Sequence, residues 1–343
     1  MENARTEISS LGEFGLINHL TKNNETRQAS TILGVGDDAA VIDSFGKQTV
    51  VTTDLLIEGV HFDLMYTPLK HLGYKSVVVN LSDVYAMNAV PTQITMSIAF
   101  SNRFSVEALD EFYEGVYLAC EKYGVDLIGG DTSSSQKGFI ISVTALGEVA
   151  ADKWVRRSTA RKGDLLCVSG YLGGAFLGLT LLEREKKIWI ENPQIQPDLE
   201  GEKYIVGCIL RPEARKDIVE FFETSSLLPT AMMDVSDGLS SEILHICKQS
   251  NLGCMLYEDK IPVHEESRQA AFKFGLDPTA CALSGGEDYE LLFTIKQEDH
   301  DKLVLNEEIS VIGYMTEPEK GAHIITKGGN KHAITAQGWN AFT

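Results

Sequence analysis

Aspartate recurs along this chain where apolar, β-forming runs end. Residues 49–54 and 125–131 each read as a buried strand closing on a carboxylate, Asp54 and Asp131. Two further motifs, Gly34-Val35-Gly36-Asp37-Asp38-Ala39-Ala40 and Met233-Asp234-Val235-Ser236-Asp237-Gly238, set pairs of aspartates beside glycine at strand ends or helix starts. Segments of helical period separate these runs, with no fixed repeat and no low-complexity tract. Such alternation predicts an α/β protein of two mixed α/β domains, residues 1–150 forming a sheet with flanking helices and residues 151–343 a second α/β layer. The basic, glycine-containing stretch 156–164 is the expected crossing between them.

Residues 72–87 carry Val77, Val78, Leu81, Val84 and Tyr85 at helical spacing, which places Asp83 on an otherwise apolar element. An unpaired carboxylate is costly there, so Asp83 needs a partner. Residues 92–100 alternate Ile94, Met96, Ile98 and Phe100 against Thr95 and Ser97, the pattern of a half-buried strand. A helix is expected from its N-cap Ser105, with Leu109, Phe112, Val116, Ala119 and Cys120 on one face, to a stop at Gly124. Residues 139–149 read as a long strand, 165–169 as another, 170–182 as a glycine-rich turn and helix, 188–202 as an extended, mobile loop, and 291–295 as a strand. Asp237 is the expected N-cap of a helix bearing Leu239, Ile243 and Ile246.

The 49 acidic residues outnumber the 30 Lys and Arg, and the resulting formal charge of -19 disfavours nucleic acid and anionic membrane surfaces as partners. No apolar run approaches the roughly 20 residues of a membrane helix, and the polar N-terminus does not read as an export signal. Six dispersed cysteines without a C-x-x-C pair fit a reducing, cytoplasmic setting.

Taken singly, each acidic motif reads as a turn or cap, because aspartate beside glycine commonly ends a strand. Jointly, carboxylates placed after buried strands converge at one end of a sheet, where α/β proteins bind ligands. Converging like charges call for hard cations, and oxygen ligands without a His/Cys cluster point to Mg²⁺ or Mn²⁺ bridging a polyphosphate. Walker, dinucleotide-binding and protein-kinase loops are absent from the sequence. Ser169-Gly170-Tyr171-Leu172-Gly173-Gly174 reads as a structural turn before it reads as a phosphate cradle. Arg157 is the phosphate candidate among the basic residues, with a surface arginine as its plain alternative. Ser284-Gly285-Gly286-Glu287-Asp288-Tyr289-Glu290-Leu291 packs three acids and an aromatic against a strand, and His61 and Trp339 each have a purely structural alternative.

In this order, GVGDDAAV, Asn80-Leu81-Ser82-Asp83, LIGGDT, MDVSDGL and SGGEDYEL resemble the thiamine-monophosphate kinase family over nearly the whole chain. That family belongs to an aminoimidazole ribonucleotide synthetase-like superfamily of ATP-binding α/β enzymes. The resemblance implies ATP-dependent conversion of thiamine monophosphate to thiamine diphosphate with several Mg²⁺ ions. Family metal ligands match Asp38, Thr52, Thr53, Asp54, Asp83, Asp131, Asp234 and Asp237, with serine in some relatives where Thr52 stands. ATP contacts match Tyr123, Gly130, Arg157 and Ser236, and the thiamine end matches His61, Glu287 and Trp339. Asp54, Asp83, Asp131 and Arg157 are the expected catalytic group. The resemblance also implies a homodimer through the N-terminal domains, with the second domain closing over the nucleotide. Two other readings are another ATP-dependent reaction of the superfamily and a divalent-cation binder, although the dispersed acids do not form a calcium-loop motif.

Overall fold

The computed structural model describes residues 31–33, 37–44, 46–304 and 306–336. Trp339, the segment Gly12-Glu13-Phe14, and Gly34, Val35 and Gly36 of the first acidic motif lie outside the described residues. Within them, β1 (Thr31–Leu33), β2 (Ala40–Ser44), β3 (Lys47–Ile57), β4 (Val90–Phe100), β5 (Asp126–Ser134) and β6 (Ile140–Ala150) form one sheet in the order β1-β2-β3-β6-β4-β5. Its one parallel pair, β4 with β5, is bridged by the helix Val106–Tyr123, the crossover that parallel neighbours require. This helix starts and stops as its local sequence predicts. Ser105 accepts the Ala108 N–H at 3.2 Å, and Gly124 closes the C-terminus at φ 72°, a left-handed conformation natural to glycine.

A second sheet comprises β7 (Leu165–Ser169), β8 (Ala231–Asp234), β9 (Gly253–Tyr257), β10 (Leu291–Ile295), β11 (Ile309–Thr316), β12 (Ala322–Ile325) and β13 (Lys331–Ala333), in the order β13-β12-β9-β11-β7-β10-β8. The helix Leu69–Ala86 lies between the sheets, against β3, β4 and β6 on one side and β8 on the other. It is buried almost all round, which explains its lack of a polar face. One apolar cluster runs from Val50, Met96 and Ile141 of the first sheet through Val78 and Leu81 of this helix to Phe293 and Ile295 of the second, and another packs on the second sheet around Leu166, Leu256 and Leu292. No described helix is long and apolar enough to cross a membrane.

Three local expectations change. β3 and β5 run on past Asp54 and Asp131 to Ile57 and Ser134, because β6 and β4 continue to pair with them, so both carboxylates sit within strands. The helix after β7 spans Gly174–Glu191, so residues 188–191 are helical; the good helix formers of residues 183–187 carry it to Asn192, where Pro193 stops it. Gly238, rather than Asp237, is the N-cap of the helix Leu239–Ser250. The Asp237 N–H instead donates to Glu242 Oε1 at 2.8 Å.

Candidate active site

Asp38, Asp83 and Asp234 each turn an oxygen toward one point, with those oxygens within 4.8 Å of one another. They come from three places: the turn before β2, the helix Leu69–Ala86, and the last residue of β8. The expected convergence at one end of one sheet is therefore replaced by convergence between two sheets and a helix. Asp83 Oδ2 accepts the Thr52 hydroxyl at 2.7 Å, supplying the partner its apolar setting demands. Asp234 Oδ2 accepts Ser82 Oγ at 2.7 Å. Asp54 shares the inner face of β3 with Thr52. Its N–H, beyond the last β2 pairing at Val51, is taken by Asn80 Oδ1 at 2.9 Å. Asn80 and Asp83 thus serve β3, and Ser82 serves β8, from about one turn of the same helix.

Arg157 is buried, contrary to its surface alternative, and its Nε donates to Asp37 Oδ1 at 3.1 Å and Asp38 Oδ2 at 3.2 Å. Burial pushes the pKa of Asp83 well above the usual carboxylate range, and the charges of Asp54, Asp234 and Asp38 push it further. Asp38 is raised well above that range by burial, against the pull of Arg157. Burial and then Asp234 lift Asp54 to about 6. This group of hard oxygen donors, more acidic than one guanidinium can balance, suits a dication of the Mg²⁺ type.

The Asp54 shift has a fixed sign. Its stabilising contribution is full below the ordinary pKa of 3.8 and is lost as pH rises through about 6. Metal-free protein should therefore lose thermal stability between about pH 4 and 7, with a smaller loss in Asp54→Asn, and Mg²⁺ should restore stability at pH 7. Scanning calorimetry with and without chelator checks this; identical pH slopes in wild type and variant would contradict it.

A cavity of about 680 Å³ is lined by Asp54, Asp83 and Asp234, by His61, Lys75 and Glu287, and by Ser236, Asp237 and Tyr289. His61 Nδ1 accepts the Ile57 N–H at 3.0 Å, which puts the proton of the neutral ring on Nε2, and burial holds its pKa below the usual histidine value. The three acids of SGGEDYEL have separate roles. Glu287 faces the cavity and pairs with Lys75 at 2.9 Å. Asp288 accepts the N–H groups of Gly173 at 2.8 Å and Ala175 at 3.4 Å, with burial raising its pKa to about 7. The protein's own carboxyl group therefore fills the helix terminus offered as a phosphate cradle, and the structural reading of that turn holds. Glu290 is committed to Arg215 at 2.5 Å and to Ser169 Oγ.

Comparison with known proteins identifies the family. The family model "AIR synthase related protein, N-terminal domain" matches residues 36–149. The thiamine-monophosphate kinase of Aquifex aeolicus is 34% identical over 335 residues, covering 98% of this chain and 99% of that one. The chain belongs to the thiamine-monophosphate kinase family. The Bacillus subtilis member is 32% identical across 97% of this chain and 100% of its own. The solved structure of AaThiL complexed with AMPPCP and TMP matches with a TM-score of 0.84 at 33% identity, covering 99% of this chain and 100% of that one.

Of the residues that the family resemblance singled out, Asp38, Thr52, Asp54, Asp83, Asp234, Ser236, Asp237, His61 and Glu287 lie at the carboxylate group or along the cavity. Thr53 does not: strand alternation turns it to the outer face of the sheet, where Oγ1 donates to the Val143 carbonyl at 3.0 Å. Asp131 is exposed on β5, and Gly130 lies in the same strand, its backbone so close to Met96 that a Cβ would stand 1.7 Å from that residue's carbonyl oxygen. Tyr123 is buried away from the cavity, its hydroxyl bonded to Glu213 at 2.9 Å. Lys75, Tyr289 and Glu242 were not singled out by sequence reasoning. Lys75 and Glu242 carry the signal that exposed Asp83, a charge on an apolar helical face.

Proposed function

We propose that this chain transfers the γ-phosphoryl group of ATP to thiamine monophosphate, releasing ADP and thiamine diphosphate. The observation that carries the reading is one cavity lined both by Asp54, Asp83 and Asp234 beside the carboxylate group and by the Lys75–Glu287 pair. Homologues bearing the enzyme's name, and a relative solved with AMPPCP and TMP, support the same substrates. In this reading an oxygen of the acceptor phosphate attacks the γ-phosphorus in line while the bond to the β-phosphate oxygen breaks, with no covalent enzyme intermediate. A phosphate monoester has a second pKa near ~6, so at neutral pH the acceptor needs no general base. The neutral His61 in the cavity is consistent with a positioning role.

Asp38, Asp83 and Asp234, with Asp54, Asp237 and Thr52 beside them, would hold several Mg²⁺ ions. Those ions would neutralise and align the phosphates that otherwise repel one another. Arg157 fixes Asp37 and Asp38 and brings a positive charge to the carboxylate group. Gly130, Asp131 and Tyr123 belong to a different part of the fold, so any nucleotide contact they make comes from outside this cavity. We take residues 1–150 and 151–343 as the two domains, and propose a cytoplasmic homodimer through the outer face of the first sheet. Leu55 is 49% exposed on that face. Gel filtration of Leu55→Asp against wild type tests the dimer.

Purified protein given ATP, Mg²⁺ and thiamine monophosphate should form equimolar ADP and thiamine diphosphate, and form neither when Mg²⁺ is chelated. ADP without thiamine diphosphate would redirect the assignment to another acceptor of the superfamily. Metal binding without nucleotide turnover would favour the cation-binding alternative.

A further inference from the structure

We propose that Lys75 recognises the acceptor's phosphate, and that its ion pair with Glu287 is a lock opened by a zwitterionic substrate. This rests on thiamine monophosphate being the acceptor, as proposed above. Lys75 lies on the helix Leu69–Ala86 and is 3% exposed, with Nζ 2.9 Å from Glu287 Oε2. Removing a charge pair from water costs about as much as it returns, and apolar residues of similar volume would hold the same space at least as well. Stability alone therefore gives no reason for an ammonium group at this position.

The cavity does give one. Among the described residues that line it, the cationic side chains are Lys75 and Lys186. Lys186 is already balanced twice, by Asp63 at 2.6 Å and Glu183 at 3.3 Å. Among the described residues, Lys75 pairs with Glu287 alone. Lys75, Val79 and Asp83 follow one another at intervals of four along one helix and all line the cavity. At a rise of about 1.5 Å per residue, the Lys75 and Asp83 backbones stand roughly 12 Å apart along the axis, leaving room for an acceptor phosphate beside a nucleotide held at the carboxylates.

Glu287 is presented by a constrained loop. It has φ 56°, follows Gly286 at φ 72°, and its N–H is tied to the Ser236 carbonyl at 2.7 Å. Left-handed backbone is costly for a residue with a Cβ, and such geometry concentrates at functional sites. Thiamine monophosphate carries a cationic thiazolium ring and an anionic phosphate joined through a two-carbon link. Inserted between the paired residues, it sets phosphate against Lys75 and thiazolium against Glu287, exchanging one ion pair for two. Free thiamine can satisfy only Glu287 and leaves Lys75 without a counter-ion. The pair therefore selects the phosphorylated substrate.

Isothermal titration calorimetry in Mg²⁺ buffer, with thiamine monophosphate and free thiamine as titrants, tests the assignment. Wild type should prefer the monophosphate by roughly 10²-fold, and Lys75→Met should reduce that preference to about threefold or less, with Lys75→Arg keeping most of it. Glu287→Gln weakens both ligands but leaves the ratio at or above its wild-type value, which also tests the assignment if Lys75→Met does not fold. An unchanged ratio in Lys75→Met, or a reduced ratio in Glu287→Gln, would overturn the role of Lys75 alone. Wild type without any preference for the monophosphate would remove the functional reading and this inference with it.

Discussion

Replacing Asp83 with asparagine should lower kcat by roughly 10²- to 10³-fold while the protein stays folded. Asp83 is the carboxylate on which the site closes: it shares the three-oxygen group with Asp38 and Asp234, and Thr52 fixes its orientation from β3. Asparagine keeps an oxygen that can accept the Thr52 hydroxyl but removes the negative charge that a dication requires. In metal-free buffer the same change relieves repulsion, because the charges of Asp54, Asp234 and Asp38 all work to keep Asp83 protonated. The variant should therefore melt at or above the wild-type temperature without Mg²⁺ and gain less from its addition. Steady-state kinetics at saturating Mg²⁺, beside melting curves with and without metal, measure both effects. A variant with wild-type kcat would take Asp83 out of the mechanism, and one that is unfolded would show its role to be structural.

The second large effect concerns the support of that helix. Leu69–Ala86 crosses Val106–Tyr123 at two glycines, where a Cβ on Gly73 would lie 1.9 Å from the Phe112 carbonyl oxygen and one on Gly115 1.8 Å from that of Lys70. These neighbours are backbone atoms, so no side-chain rotation relieves the clash and the helices must move apart. Gly115→Ala should cost about 3 kcal/mol, near the upper end for overpacking, and lower Tm by roughly 10 °C. It should also reduce activity, since the displaced helix carries Lys75, Asn80, Ser82 and Asp83. Gly207→Ala, in the helix Lys203–Leu210, is the matched control, because nothing lies within 4 Å of a Cβ there and that helix should gain slightly. Equal melting temperatures for Gly115→Ala and wild type would refute the close crossing.

Much of the fold was legible because its signals are local. Ser105 and Gly124 bound their helix through hydrogen bonds and dihedral angles that need only neighbours in sequence. The alternation of Ile94, Met96 and Ile98 against Ser97 foretold which face of β4 would be buried. Asp83 announced itself as a charge on an apolar helix. Strand lengths were less legible: β3 and β5 pass through Asp54 and Asp131 because a partner strand continues to pair with them, information held in residues far along the chain. For Asp237, the N-cap position expected from its place before Leu239 passed to Gly238, and the Asp237 N–H bonds Glu242.

The sequence by itself determined the α/β class, the family and most of the carboxylates at the site, because helical and strand periods and the short acidic motifs are local patterns. Tertiary structure alone decided which of those groups meet. Strand alternation sends Thr52 inward to Asp83 and Thr53 outward to Val143. The packing of two sheets on one helix brings Asp234 to Ser82 across 152 residues and Lys75 to Glu287 across 212. Charge can be read residue by residue, but its neutralisation depends on the distance between groups, which only the folded chain sets.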